Sequence, residues 1–258
     1  MVYVIIQARM GSSRLPGKIL MDLAGKPSLY HVYYRSLTAS LVDRVVIATS
    51  VAGSDDRVET FCREFGLELF RGSENDVLDR FYRAALNAGA SYGDVVVRIT
   101  GDCPVIDPEI IDQVVSEIKS GDFDYCSNSF DRTYPDGLDA EAMTFKTLEY
   151  VWKNATWQSE REHVTSYINR NRDEFRISQL KYDDDLSELR WTVDYEDDYE
   201  FIKNIYEALY SKDEVFHMRD ILAFLKENPK LEEINNSHEI NEGLKKSEMN
   251  DKKVKDNL

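Results

Sequence analysis

Basic residues are scarce in this 258-residue chain. It has 32 Lys and Arg against 48 Asp and Glu, a formal net charge of −16. Such a balance excludes a protein that grips nucleic acid through its overall field. Any polyanionic ligand therefore needs a local cationic pocket or a metal ion. Cysteine is scarce too. Cys62, Cys103 and Cys126 are odd in number and scattered, with neither metal-type spacing nor a disulfide framework. A reducing, cytoplasmic setting is the simplest reading. Long apolar runs are missing. Residues 2–6 are apolar, but the run is too short for a membrane span or the core of a secretion signal, and no basic segment precedes it. No internal repeat is visible.

Hydrophobic residues still make up 42% of the chain, enough for a sizeable core. The length suits one α/β domain, or one with a small added lobe. Residues 2–6, 44–49, 68–70 and 94–99 are short apolar runs of the kind that form buried central strands. Helical patterns over residues 28–40, 55–65 and 76–90 lie between them, and Asp107-Pro108 reads as the cap and first residue of a helix reaching 119. Strands alternating with helices predict a three-layer, Rossmann-like α/β fold with a mixed, mostly parallel sheet. Past residue 123 the alternation loosens. Residues 124–127, 139–145, 176–181 and 188–193 read as strands, the last pairing antiparallel with its predecessors. Residues 146–156, 161–171, 197–210 and 217–227 read as helices. The expectation is one domain over 1–228, with an alternating half at 1–122 and a looser half at 123–228. Residues 229–258 are polar, and a flexible tail is expected there.

The first chemical motif follows the first strand: Gln7-Ala8-Arg9-Met10-Gly11-Ser12-Ser13-Arg14-Leu15-Pro16-Gly17-Lys18. Ligands of doubly wound sheets sit beyond the carboxyl ends of strands, and the first such loop is a favoured place. Successive amides of a Gly/Ser loop can cradle an anion. Arg9, Arg14 and Lys18 add three cations to a chain otherwise rich in acid. The loop is neither a Walker A sequence nor GxGxxG, because five residues separate Gly11 from Gly17 and Ile19 follows Lys18. The plain alternative is a basic surface loop.

A second motif, Thr100-Gly101-Asp102-Cys103-Pro104, follows the strand pattern at 94–99 and places Asp102 at the same crevice. There it can hold Mg²⁺ against phosphate oxygens, or serve only as a turn former. Arg80 falls one turn inside a helix, facing phosphates or solvent. Asp139 and Glu141 alternate on a strand pattern and so point the same way, towards acceptor hydroxyls, a second Mg²⁺ or solvent. Arg161 and His163 lie near an apolar helical face, and a lone His there is more often structural.

The string IQARMGSSRLPGKIL, residues 6–20, resembles the opening signature of the SpsF-type spore-coat polysaccharide proteins. These are similar to cytidylyltransferases that make CMP-KDO and CMP-acylneuraminate. The resemblance continues through residues 72–80, 100–104, 137–141, 161–167 and 191–194. It implies transfer of CMP from CTP to a sugar, sugar acid or sugar phosphate, with Mg²⁺ as cofactor and release of pyrophosphate. It implies a triphosphate site at Arg9, Gly11, Ser12, Arg14 and Lys18, flanked by Gln7 and Ala8. Gly72 and Ser73 would approach the base through their backbone, with Arg80 close by. Asp102 and Asp194 would hold the metal, Asp194 being otherwise a helix cap. Asp139, Glu141, Arg161 and His163 would meet the acceptor. An acceptor carboxylate needs a further cation, for which Arg132, Arg161 and Arg190 are candidates. The related enzymes are commonly dimers, and Tyr150, Trp152 and Trp157 suit either an interface or a core. Competing readings are a nucleotide-sugar-dependent glycosyltransferase and a non-catalytic nucleotide-binding protein.

Overall fold

The computed structural model describes residues 1–212, 214–240 and 242–254. Seven strands form one sheet in the order β5-β4-β1-β6-β8-β7-β9. They are β1 (Val2–Gln7), β4 (Arg44–Ser50), β5 (Leu69–Gly72), β6 (Val95–Thr100), β7 (Tyr125–Ser127), β8 (Glu141–Thr144) and β9 (Ile177–Gln179). Strands β5, β4, β1 and β6 run parallel, β8 is antiparallel to both its neighbours, and β9 is parallel to β7. The minor hairpin β2 (Asp22–Leu23) and β3 (Lys26–Pro27) lies apart.

The apolar strands are buried because the sheet is covered on both faces. Val2, Val4 and Ile6 of β1 join one core with α1 (Ser28–Leu37), α2 (Asp56–Phe65), α4 (Pro108–Lys119), α8 (Glu196–Leu209) and α9 (Met218–Glu227). The alternate residues Tyr3 and Ile5 join a second core with α3 (Val77–Asn87), α5 (Phe145–Asn154) and α7 (Ser166–Arg170). The period of two along β1 thus feeds two cores, and each fully buried Ile or Val contributes roughly 1.5–3 kcal/mol. Asp107 caps α4 by accepting the Glu109 amide at 2.9 Å, with Pro108 as first residue. Among the described residues no helix is long and apolar enough to cross a membrane.

Three elements differ from the sequence expectation. Residues 188–193 form no ladder strand. Among the described residues their one β-bridge is parallel, between Asp136 and Arg190, and β7 pairs with β9 in parallel instead. The cause is a close backbone crossing at Gly137. Its φ is +108°, and a Cβ there would sit 2.4 Å from the Trp191 carbonyl carbon. The helix expected over 161–171 is split into α6 (Gln158–Glu162) and α7, because the break at His163 turns the chain. The described part of the expected flexible tail, residues 229–240 and 242–254, folds back onto the domain, while 241 and 255–258 lie outside the described residues. A turn at Pro229–Glu233 leads to buried Asn235, and α10 (Glu242–Met249) follows. Hydrogen bonds and ion pairs anchor it, so apolar periodicity carried no sign of it. Trp152 packs inside the domain, stacked on Tyr82 at 4.3 Å, and Trp157 lies beneath Arg170 and Lys253.

Candidate active site

Strands β1 and β6 end side by side, with Gln7 in register with Thr100. The Gly101 amide donates to the Gln7 carbonyl at 2.8 Å, and a Cβ on Gly101 would press to 3.0 Å from Ala8. This close approach sets Asp102 beside the β1 loop. The loop is itself anchored from below, since Asp55 accepts the Met10 amide at 2.8 Å while also binding Ser50. Ser12 accepts the Leu15 amide at 3.2 Å and so shapes the turn before Gly17.

Asp194 reaches the same place from the far end of the chain. The Val193 amide and the Thr192 hydroxyl both donate to the Asp102 carbonyl, at 2.9 and 3.2 Å. Asp194 is not the cap of α8. Asp198 serves that terminus, accepting the Asp194 and Tyr195 amides at 2.9 and 3.0 Å, which leaves the Asp194 carboxylate free to face the crevice. Asp198 is therefore more than a favourable charge in a first turn, for it is fully buried and also holds Arg190 at 2.9 Å.

The Lys18 ammonium lies between the two aspartates, 2.7 Å from Asp102 and 2.8 Å from Asp194. Arg14 meets Asp194 at 2.5 Å. Burial opposes charge on Lys18, but the two carboxylates override it and raise its pKa. Burial also works against charge on Asp194, yet Lys18 and Arg14 hold its carboxyl well below the usual carboxylate range. Two carboxylates directed at one cationic point form a hard-oxygen donor set of the kind Mg²⁺ prefers, so the residues fit that ion.

A cavity of about 340 Å³ opens from this cluster. Its lining includes Arg14, Asp102 and Asp194 together with Asp139, Glu141 and His163. Glu141 pairs with Arg98 at 3.0 Å, and Arg98 donates to Gln7 at 2.5 Å. Arg132 is clasped by Asp139 and approached by Asp136 at 3.5 Å. Burial, with Asp139 and Asp102 nearby, pushes the Asp136 carboxyl up to about 7. Three buried polar atoms of lining residues, Arg14 Nε, Glu141 Oε2 and Asn169 Oδ1, have no hydrogen-bond partner among the described residues. A polar ligand would satisfy such atoms.

Several predicted residues lie elsewhere. Arg161 does not line the cavity. Asp76 binds it through three contacts of 2.6–3.0 Å and the Trp152 carbonyl accepts a fourth, so it ties α6 to the start of α3. Arg80 faces neither solvent nor the cavity. It is buried beneath the 72–74 loop, donating to the carbonyls of Ser73 at 2.5 Å and Glu74 at 3.4 Å. Its burial, with Arg9 nearby, lowers its pKa to about 10. Gly72 packs on the Arg80 stem, and the Ser73 hydroxyl takes the Asp76 amide at 3.0 Å. Arg9, Gly11 and Ser12 stay outside the cavity lining, with Arg9 and Gly11 exposed. His163 meets Ser247 at 3.0 Å, and burial with Arg98 and Arg9 lowers it to about 4. The candidate cations Arg132 and Arg190 are both taken. Arg190 holds Asp198, Asp136 and Asp194 at 2.9–3.2 Å.

Sequence reading missed Arg98, Arg172, Tyr195 and the lining residues of α10. Arg98 carries a legible signal, a charge inside an otherwise apolar strand. Arg172 sits over the Phe130 ring at 3.6 Å and, among the described residues, has no carboxylate partner. Nothing in its local sequence marks it.

The cytidylyltransferase family profile matches residues 3–241. SpsF, a spore coat polysaccharide biosynthesis protein of Bacillus subtilis, is 32% identical over 237 residues, covering 88% of this chain and 95% of that protein. A solved cytidylyltransferase of Leptospira borgpetersenii superposes with a TM-score of 0.84 at 34% identity, covering 93% of this chain and 98% of the other. A CMP-2-keto-3-deoxy-manno-octonic acid synthetase solved with CTP shares the fold, with a TM-score of 0.61 at 21% identity over 80% of this chain and 98% of that one. The paired aspartates beside a cationic first loop thus sit in an enzyme of the nucleotidyltransferase class, and the chain belongs to the cytidylyltransferase family.

Proposed function

We propose that this enzyme transfers CMP from CTP to an acidic, sugar-like acceptor and releases pyrophosphate. The reading rests on one observation: a single cavity joins the Lys18–Asp102–Asp194 cluster to a polar recess with unsatisfied buried atoms. The bound CTP of the octonic acid synthetase supports the choice of nucleotide. SpsF's role in spore coat polysaccharide biosynthesis supports a glycan setting, and the reduced-cysteine reading supports the cytoplasm.

Asp102 and Asp194 would hold Mg²⁺, which supplies charge neutralisation at phosphate oxygens when bound. Arg14, with Arg9 at the loop's outer edge, would hold the phosphate tail and stabilise the leaving pyrophosphate. Positioning and electrostatics carry most of the rate in such transfers. Arg98 and Arg132 hold Glu141 and Asp139 in place, so these carboxylates can accept hydrogen bonds from acceptor hydroxyls. Arg172, the lining guanidinium without a carboxylate, would receive the acceptor's acid group. Pyrophosphate release from CTP and Mg²⁺ with a panel of sugars, sugar acids and sugar phosphates tests this. Release with the acidic members supports it, and its absence with every member would sink the transfer.

A further inference from the structure

The chain around and beyond the end of the family profile does something at this site. The profile ends at residue 241, and α10 begins at Glu242. The described residues of this stretch are held at two places, at the start of α8 and around α6. On the α8 side, buried Asn235 donates to Asp198 at 2.8 Å and to the Arg190 carbonyl at 3.0 Å. His238 binds Asp197 at 2.7 Å and stacks on Tyr195 at 3.9 Å. On the α6 side, Ser247 meets His163 at 3.0 Å, and Asp251 accepts from Ser159 at 2.6 Å. The Val254 amide donates to the Thr156 carbonyl at 2.7 Å.

Between these anchors the described residues lend the cavity Glu239, Glu242, Gly243 and Leu244. Helix α10 is lightly held, since it has no buried residue. A helix with few buried contacts opens at low cost. The Glu242 carboxylate takes the Tyr195 hydroxyl at 2.6 Å and Lys246 of its own helix at 2.5 Å, and it lies 3.5 Å from Arg14. Arg14 therefore carries two carboxylates, Asp194 and Glu242. A triphosphate needs the same guanidinium, and two acidic residues facing the cavity repel it.

We propose that residues 234–240 and 242–254 form a strap across the active site, with Glu242 as a built-in competitor that nucleotide phosphates must displace from Arg14. The proposal rests on the cavity being a triphosphate site. Nucleotide binding and strap opening are then linked, and each favours the other. The strap lifts as CTP enters and reseats after the products leave.

The test is calorimetric titration of CTP with Mg²⁺ into the parent chain, E242Q and a chain ending at residue 240. Amide exchange across 242–249 is measured with and without CTP. E242Q keeps the shape and the Tyr195 contact but removes the competing charge. It should bind CTP about two- to fivefold more tightly, the scale of a partly exposed ion pair. Amides of 242–249 should lose protection when the parent is saturated. Equal or weaker binding by E242Q, with α10 still protected under saturating CTP, overturns the strap while leaving the nucleotide site standing. Binding by the shortened chain alone supports the strap. No binding by any of the three overturns both.

Discussion

At the loop end of the cavity, Arg14 and Lys18 come from one short stretch and meet aspartates brought from residues 102 and 194. At the recessed end, Arg132 is matched by Asp139 seven residues on, and Arg98 by Glu141 on the adjoining strand. The first arrangement places charge at one point from several directions, as transfer chemistry requires. The second balances charge locally and leaves shape and hydrogen bonding to discriminate. On the proposed function, the first set forms the reactive end of the site and the second, the recessed end, the selective one.

The sharpest way to break this comparison is Asp102→Asn. Turnover measured by pyrophosphate release should fall about a hundredfold or more, because a ligand for charge at the reacting phosphate is lost. Near-normal turnover would remove Asp102 from the chemistry. At the recessed end the same kind of change should act first on stability. Arg132→Met leaves half-buried Asp139 without its cation and buried Asp136 with Arg190 alone, and should cost about 3–5 kcal/mol in urea unfolding. The double variant R132M/D139L should recover much of that loss, and a fully additive double would refute the pairing. Arg172→Gln should raise the acceptor KM about tenfold with the CTP KM unchanged. Equal effects on both substrates would move Arg172 out of the selective end.

The smallest effect concerns pH. Burial, with Arg98 and Arg9 nearby, depresses His163 from 6.5 to about 4. A depressed pKa contributes stability that is present above the unfolded value and lost as pH falls through the folded one. His163→Gln should therefore flatten the decline in Tm between about pH 6.5 and pH 4 relative to the parent. His31, lowered to about 4 by burial that outweighs its hydrogen bond with the Leu23 carbonyl, still contributes its share in both proteins. Identical slopes would show that His163 is not held neutral by the fold.

The two ends also differ in how far the sequence disclosed them. The parallel half was legible because the apolar runs of β1, β4 and β6 are buried on both faces and two of its helices, α3 and α4, begin with the caps Asp76 and Asp107. The β1 loop was legible because its cations are neighbours in sequence. Arg161 was misplaced because its partner, Asp76, is far away in the chain. Arg80 could not be read for a related reason, since its position depends on carbonyls of a loop whose shape it helps to set. The strand expected at 188–193 failed because the crossing at Gly137 overrides local strand preference. The folded tail escaped notice because residues such as Asn235 and Asp251 act through single polar contacts, which leave no period in the sequence.

The Lys18 ammonium joins residues separated by 84 and 176 positions. No fragment that stops short of Asp194 can make that junction, however well its first strands and helices have formed. During synthesis the early half can fold and bury its apolar faces while the reactive centre is still incomplete. The contacts that close it are among the longest-range in the chain, and such contacts form late because loop closure must come first. Chemistry is thereby reserved for a chain that has folded almost to its end.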